Sequence, residues 1–121
     1  MPVTKVLIVD DSPTERFYLT NVLRKQGYEV ITAESGELGI AVAKLEKPDL
    51  ILMDVVMPGL NGFQATRQLS RNAETASIPV IMCTTKGQET DRVWGLRQGA
   101  IDYLVKPVAE ADLIAKVKAL G

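Results

Sequence analysis

The sequence predicts an α/β fold with a doubly wound, five-stranded parallel sheet, and three observations lead to this class. Strand-like apolar runs alternate strictly with helix-like amphipathic runs along the 121 residues, the order expected when helices cross over between parallel strands. Three strand-like runs, KVLIV, DLILMD and IPVIMCT, are almost continuously apolar, as strands covered on both faces are. No repeat of about 20 to 50 residues and no low-complexity linker divides the chain.

The first half of the chain supplies three strands and two helices. Strands are predicted over 5–9 (KVLIV), 28–33 (YEVITA, which alternates) and 49–54 (DLILMD). Helices are predicted over 13–27, ending at Gly27, and over 35–47. The apolar residues at helical spacing predict core stripes made of Phe17, Leu19, Val22 and Leu23 in the first helix and Leu38, Ala41, Val42 and Leu45 in the second.

The second half begins with a turn, PGLNG over 58–62, and continues with two strands and three helices. The strands are predicted over 78–84 and 101–105, and the helices over 63–72, 88–100 and 109–120. In the fourth helix, Val93, Leu96 and Ala100 are predicted to face the core. Trp94 lies beside this stripe, where it either covers the edge of the core, the preferred interpretation, or anchors a partner.

Right-handed crossovers and a chain of this length favour the flavodoxin-like strand order 2-1-3-4-5. That order puts strands 1, 3 and 4 in the centre of the sheet, and these are the runs with the most continuous apolar sequence. Strand 2 alternates between apolar and polar residues, which suits a position at the edge of the sheet.

The composition excludes several classes of function. Fourteen basic residues face fifteen acidic ones, for a net charge of -1, so nothing indicates a nucleic-acid partner, and no apolar run approaches the roughly 20 residues of a membrane span. The N-terminal MPVTK leads directly into a strand, so no signal peptide is expected, and the single Cys83 favours a cytoplasmic protein. The lack of histidine removes Ser–His catalysis, histidine metal ligation and histidine phosphotransfer.

Polar residues follow the predicted strands at the edge where open parallel sheets bind ligands. Because the carboxyl ends of parallel strands meet at one edge, we expect three carboxylates, a hydroxyl and an ammonium group to converge on one pocket. The carboxylates are those of Asp10, Asp11 and Asp54. The hydroxyl is that of Thr84, which Thr85 follows, and the ammonium group is that of Lys106, which Pro107 follows.

This set of side chains predicts a phosphoacceptor site. Three clustered carboxylates raise each other's pKa values by repulsion, which a hard divalent cation relieves. Mg²⁺ prefers oxygen ligands and leaves coordination positions for phosphate oxygens. Lys106 supplies a mobile charge that can pair with Asp54 or with a phosphoryl oxygen. A carboxylate nucleophile, Mg²⁺ and a lysine are what phosphoryl transfer to an aspartate requires.

The stretch DDSPTE is also a good helix start. Ser12 as N-cap, Pro13 at the first helical position and Glu15 three residues after the cap predict a capping box. Asp10 and Asp11 could serve only that start, although one cap does not need so many acids. The joint pattern at adjacent strand ends is stronger than any single residue in it.

Four segments, LIVDDS, DLILMDVVMPGLNGFQ, PVIMCTT and GAIDYLVKP, resemble in order and spacing the blocks of response-regulator receiver domains of the chemotaxis (CheY-like) single-domain type. The resemblance covers essentially the whole chain and implies one receiver domain over 1–121 with no output domain. More narrowly, VVMPGLNGFQATRQL, TTKGQETDRVWGLRQGA and DYLVKPV resemble the small response regulators of type IV pilus twitching motility.

The resemblance implies a role for each residue of the pocket. Asp54 would be the phosphoacceptor, and Thr84 and Lys106 would bind the phosphoryl group. Tyr103 would be an aromatic switch that turns inward when Thr84 moves, and the bond between Lys106 and Pro107 would be cis. The Mg²⁺ ligands would be Asp10, Asp11, Asp54 and the main-chain carbonyl of Val56.

Three positions depart from the pattern of many receivers. Val56 stands two places after the acceptor, where many relatives carry a polar residue that helps to position the attacking water. Lys86 stands two places after Thr84, where several fast relatives have an acid, and Thr85 is bulkier than the usual alanine or glycine. We expect Val56 to slow hydrolysis of the acyl phosphate.

The implied function is that of a stand-alone response regulator in a two-component phosphorelay, phosphorylated by a separate, chemotaxis-type histidine kinase. The protein would catalyse only its own phosphorylation and dephosphorylation. It would signal as a monomer to a downstream protein through the surface of helix 4, strand 5 and helix 5, without nucleic acid or membrane as partners. Draining phosphate from a shared kinase is the alternative output.

Two functions from other classes fit less well. A Mg²⁺-dependent phosphohydrolase usually places its nucleophile and a second aspartate on the first strand and carries a capping insertion, and the chain has neither arrangement. A flavodoxin-like flavin carrier would bind phosphate after strand 1, where Asp10 and Asp11 would repel it.

Overall fold

The computed structural model describes residues 2–121 and arranges them as five strand–helix units. The strands are β1 (Lys5–Val9), β2 (Glu29–Ala33), β3 (Leu50–Met53), β4 (Val80–Thr84) and β5 (Asp102–Val105). The helices are α1 (Pro13–Lys25), α2 (Gly36–Glu46), α3 (Gly62–Arg71), α4 (Glu89–Arg97) and α5 (Glu110–Lys118). Every predicted element is present, and most are a few residues shorter than predicted. Among these residues, no helix is both long and apolar enough to cross a bilayer.

The sheet is parallel throughout, with strand order β2-β1-β3-β4-β5, which confirms the predicted topology. The register places Val9 at the end of β1 level with Met53 at the end of β3. Asp10 and Asp54, the residues that follow, therefore leave the sheet side by side. The order of the strands thus brings together two acids that lie 44 positions apart in the sequence.

The core consists of two layers, one on each face of the sheet. The layer beneath α1 and α5 includes Val6, Ile8, Leu19, Leu23, Leu52, Leu113 and Val117. The layer beneath α2, α3 and α4 includes Leu7, Val9, Ala43, Ile51, Met53, Ala65, Leu69 and Met82. Because neighbouring residues of a strand point to opposite faces, a strand covered on both sides must be apolar at every position, as β3 is and as β1 is after Lys5.

The predicted core stripe of α1 is wrong at one residue. Leu19, Val22 and Leu23 are buried as expected, but Phe17 is 70% exposed. Phe17 lies two residues from Leu19, which is about 200° around the helix axis, so it faces away from the sheet. The helix also ends at Lys25, and Gly27 lies beyond it with φ of 91°, a left-handed conformation that suits glycine at a helix end.

The predicted core stripe of α2 is wrong at three of its four residues, and only Val42 packs against the core. Leu38 and Leu45 are exposed, and the buried residues of the helix are Gly36, Gly39 and Ala43. A Cβ atom on Gly39 would lie 2.8 Å from Cγ2 of Val9. The helix therefore packs directly on β1 through its smallest residues, and the leucines remain on the outer face. Ala41 is exposed and Val42 is half-buried at the boundary.

In α4 the predicted core stripe is wrong at Val93, whereas Leu96 packs against the core and Ala100 lies within it. Val93 is exposed, Leu96 is half-buried, and the buried residue within the helix is Gly95, which packs against the ring of Tyr103. Ala100 is buried but follows the end of the helix. Trp94 is 48% exposed, which disfavours the interpretation that it covers the edge of the core.

Candidate functional site

Three carboxylates meet beyond the carboxyl ends of β1 and β3. One carboxylate oxygen from each of Asp10, Asp11 and Asp54 lies within 4.8 Å of the other two. Asp10 and Asp54 are buried and Asp11 is exposed. Main-chain bonds fix the two buried acids at the sheet edge: the N–H of Asp54 donates to the carbonyl of Val9 at 2.9 Å, and that of Asp10 to Ala33 at 3.1 Å.

Lys106 places its ammonium group among these acids. Its Nζ lies 2.7 Å from Oδ2 of Asp10 and 3.6 Å from Oδ2 of Asp54, and its side chain is 12% exposed. Burial by itself would lower the pKa of Lys106, but the hydrogen bond to Asp10 and the two negative charges outweigh burial and raise that pKa. Lys106 therefore stays charged, and the peptide bond that joins it to Pro107 is cis.

The ionised form of Asp54 is disfavoured by its surroundings. Burial raises the pKa of its carboxyl group, and the negative charge of Asp10 raises it further. Lys106 and a hydrogen bond from the N–H of Val55 to Oδ1 at 2.8 Å act in the opposite direction without cancelling the rise. A bound cation would relieve the repulsion that remains.

Thr84 and Tyr103 are linked through one peptide segment. Thr84 is fully buried and its hydroxyl oxygen accepts from the N–H of Lys86 at 3.3 Å. The hydroxyl of Tyr103 donates to the carbonyl of Lys86 at 2.6 Å, and its ring packs against Gly95 of α4. Burial, with the charges of Asp91 and Asp54, raises the pKa of Tyr103 to about 12. Lys86 thus contacts both residues to which the resemblance gives a switching role.

The helix start after Asp11 differs from the predicted capping box. Ser12 is the N-cap and Pro13 the first helical residue, as predicted, and the hydroxyl of Ser12 accepts from the N–H of Glu15 at 3.2 Å. The reciprocal bond is absent among the described residues, because the N–H of Ser12 donates to Oδ1 of Asp10 at 2.9 Å instead. The helix start and the acid cluster therefore share Asp10.

Two residues at the site were not anticipated in these roles. Arg16 of α1 donates from Nη1 to the main-chain oxygen of Asp10 at 2.7 Å. Gly62, predicted only as a turn residue, begins α3 so close to Asp54 that a Cβ atom on it would lie 1.9 Å from the main-chain oxygen of Asp54. A glycine in the sequence can indicate that another backbone segment approaches closely. A single arginine in a helix does not indicate a contact of this kind.

Val56, two residues after Asp54, is exposed to solvent. Its side chain is 54% exposed and lines an open hollow of about 380 Å³ together with Thr85, Lys86, Gly87 and Gln88. Two of the three departures noted in the sequence, Thr85 and Lys86, therefore border the same hollow as Val56.

Comparisons with known proteins agree with this geometry. Residues 6–118 match the response regulator receiver domain. The chain is 62% identical over 116 residues to Protein PilH of Pseudomonas aeruginosa, covering 96% of each, and 42% identical to the phosphate regulon transcriptional regulatory protein PhoB of the same organism. The chain spans about half the length of PhoB. The chemotaxis protein CheY4 of Vibrio cholerae has a similar structure, with a TM-score of 0.91, 32% identity and coverage of 98% of this chain and 99% of that one.

These matches confirm both resemblances noted in the sequence. The family match and the CheY4 structure bear out the receiver domain, and the identity to PilH bears out the narrower resemblance to the pilus regulators. The matched region includes every residue of the acid cluster and Lys106. The chain belongs to the response regulator receiver domain family.

Proposed function

We propose that this receiver accepts a phosphoryl group on Asp54 from a chemotaxis-type histidine kinase in a Mg²⁺-dependent reaction. As a receiver domain the chain is a signalling protein rather than an enzyme with a separate substrate. The observation that supports the proposal most strongly is the convergence of Asp10, Asp11, Asp54 and Lys106 at one sheet edge. Asp10, Asp11, Asp54 and the Val56 carbonyl would hold Mg²⁺, because hard oxygen donors are the ligands that this ion prefers.

In the proposed transfer, Oδ2 of Asp54 attacks the phosphorus of a phosphohistidine. Oδ1 is engaged by the N–H of Val55, which leaves Oδ2 on the side of Lys106. The new O–P bond forms as the N–P bond breaks, and the imidazole nitrogen takes a proton from solvent. Lys106 and the hydroxyl of Thr84 bind the phosphoryl oxygens, and bound Mg²⁺ would neutralise charge on that group.

The same groups offer a route by which the signal leaves the site. A phosphoryl oxygen would accept from the O–H of Thr84, and movement of Thr84 towards it would strain or break the bond that the Thr84 oxygen accepts from the N–H of Lys86. Lys86 in turn holds the hydroxyl of Tyr103, so a shift of Thr84 alters how β5 contacts the β4–α4 segment. A downstream protein would then bind the surface of α4, β5 and α5, where Trp94, Ile101 and Val105 are about half-exposed.

The setting of this signal is proposed from the similarity to PilH. The protein would act in pilus or chemotaxis-like motility control, as a cytoplasmic monomer. Draining phosphate from a shared kinase remains the alternative output, and the two differ in whether a downstream protein binds the phosphorylated form.

The test is phosphorylation with acetyl phosphate, followed by the intact mass of the protein. We expect one phosphate increment in the presence of Mg²⁺, and none in EDTA or in Asp54→Asn. Asp49→Asn, which removes an acid at the other end of β3, should behave as the wild-type protein does. A Mg²⁺-independent increment, or none from acetyl phosphate or any candidate kinase, would contradict the proposal. Turnover of a phosphomonoester would favour the phosphohydrolase instead.

A further inference from the structure

Arg16 occupies a position where a positive charge is unfavourable on two counts. It lies in the first turn of α1, whose amino-terminal end carries the positive pole of the helix dipole. It also lies beside an acid cluster proposed to bind a cation. Within residues 2–121 it forms no ion pair with a carboxylate. Its guanidinium instead donates to a neutral group, the main-chain oxygen of Asp10, at 2.7 Å.

With that hydrogen bond, every polar group of Asp10 has a hydrogen-bond partner. The N–H of Asp10 donates to Ala33, Oδ1 accepts from Ser12, and Oδ2 accepts from Lys106. The carbonyl of Asp10 belongs to the planar peptide unit that also carries the N–H of the next residue, Asp11. By holding this carbonyl, Arg16 sets the orientation of the peptide unit from which the exposed side chain of Asp11 extends.

We propose that Arg16 is a positioning residue of the metal centre, which holds the Asp10–Asp11 peptide unit so that the carboxylate of Asp11 lies with those of Asp10 and Asp54. The inference rests on the proposed function, since it concerns the binding of Mg²⁺. Without Arg16 the half-buried carbonyl of Asp10 loses its partner and the peptide unit is free to rotate. The three carboxylates then converge less often, and Mg²⁺ binds more weakly.

Arg16 could act through its charge or by positioning the peptide unit, and these two roles predict opposite changes in Mg²⁺ affinity when Arg16 is replaced. If Arg16 acted only through its charge, its removal would strengthen Mg²⁺ binding, because one cation would no longer repel another. If it acts by positioning, its removal weakens binding in spite of the lost repulsion. The direction of the change in affinity therefore separates the two roles.

The experiment measures Mg²⁺ affinity by isothermal titration calorimetry for the wild-type protein, Arg16→Met, Arg16→Lys and Arg24→Met. Arg24 lies in the last turn of the same helix, so its variant controls for loss of a charge from α1. We expect Arg16→Met to weaken Mg²⁺ binding about tenfold, Arg16→Lys to restore most of the affinity and Arg24→Met to have little effect. In EDTA, the amide of Ser12 should exchange its hydrogen faster in Arg16→Met than in the wild-type protein.

The outcomes separate this inference from the proposed function. Equal or tighter Mg²⁺ binding by Arg16→Met would overturn the positioning role while leaving the metal site in place. A wild-type protein that binds no Mg²⁺ would overturn the proposed metal site, and the inference with it. Arg16→Gln, a smaller change, should show a weaker loss of affinity and replaces Arg16→Met if that variant does not fold.

Discussion

At the scale of single residues, some members of the site could be predicted from the sequence and others could not. Asp10, Asp54 and Lys106 could be predicted because each follows a run recognisable as a strand, and strand ends meet at one edge. Arg16 could not be predicted, because its contact depends on the path of the chain between β1 and α1. A charged residue on a helix is ordinarily solvated, so nothing in the sequence marks it.

Val56 carries the first prediction. Val56 stands two residues after Asp54 and is 54% exposed, and its apolar side chain offers no hydrogen bond to a water that attacks the acyl phosphate. We expect Val56→Asn to shorten the lifetime of phosphorylated Asp54 several-fold, measured as loss of the phosphate mass increment over time. Val93→Asn, at an exposed position in α4, is the control. An unchanged or longer lifetime in Val56→Asn would show that this residue does not limit hydrolysis.

Asp49 carries a prediction about pH. Its Oδ2 accepts hydrogen bonds from the N–H groups of Lys5 and Thr4 and from the hydroxyl of Thr4, and these bonds hold the pKa of Asp49 below its ordinary 3.8. A lowered pKa means that the carboxylate stabilises the fold at pH values above 3.8, and that this contribution is lost as the pH falls through the folded-state pKa.

We therefore expect Asp49→Asn to lower the free energy of unfolding by about 1 kcal/mol at pH 7, a modest figure because the carboxylate is partly exposed. The difference from the wild-type protein should shrink as the pH falls below 4, in urea unfolding curves recorded between about pH 3 and 7. A difference that stays constant over this range would mean that the charge of Asp49 contributes nothing.

At the scale of elements, the sequence predicted that the helices are present, but it did not predict which face of α2 is buried. The predicted stripe consisted of Leu38, Ala41, Val42 and Leu45 at helical spacing, and of these only Val42 packs against the core. The structure packs Gly39 against β1 instead, because a helix without a side chain at the contact can approach the sheet more closely. Periodicity finds an amphipathic face, but it cannot distinguish a leucine face that packs inward from a small-residue face that does.

This packing predicts an inverted pattern of mutational sensitivity in α2. Gly39→Ala adds a Cβ atom 2.8 Å from the side chain of Val9 and should lower the free energy of unfolding by about 1 to 3 kcal/mol. Leu38→Ala, at an exposed position on the same helix, should change it by no more than about 0.5 kcal/mol. The free energies of unfolding of both variants, measured in urea, test this prediction. A larger decrease for Leu38→Ala than for Gly39→Ala would show that the leucine stripe packs in the core.

At the scale of the whole molecule, strand order could be predicted because few topologies satisfy the physical rules. Parallel strands joined by right-handed helical crossovers, with the most apolar runs in the centre, leave the order 2-1-3-4-5, and the sheet has this order. Once the order is fixed, the acids at the ends of β1 and β3 become neighbours without any local signal between them.

For the molecule as a whole, the central question is which of the three clustered acids accepts the phosphoryl group and which bind the metal. Asp54 faces Lys106 and is held by Val55, whereas Asp10 is bound on both of its carboxylate oxygens. These differences favour the proposal that Asp54 accepts the phosphoryl group while Asp10 and Asp11 serve as metal ligands. If any exposed carboxylate could accept the phosphoryl group, phosphorylation would not be confined to Asp54.

The most direct measurement locates the phosphoryl group. The protein is phosphorylated in Mg²⁺ and reduced with borohydride, which converts an aspartyl phosphate to homoserine, and the peptides are sequenced by tandem mass spectrometry. The account predicts homoserine at position 54 and unmodified aspartate at Asp10 and Asp11. Homoserine at position 10 or 11, or conversion at 54 that does not require Mg²⁺, would contradict it.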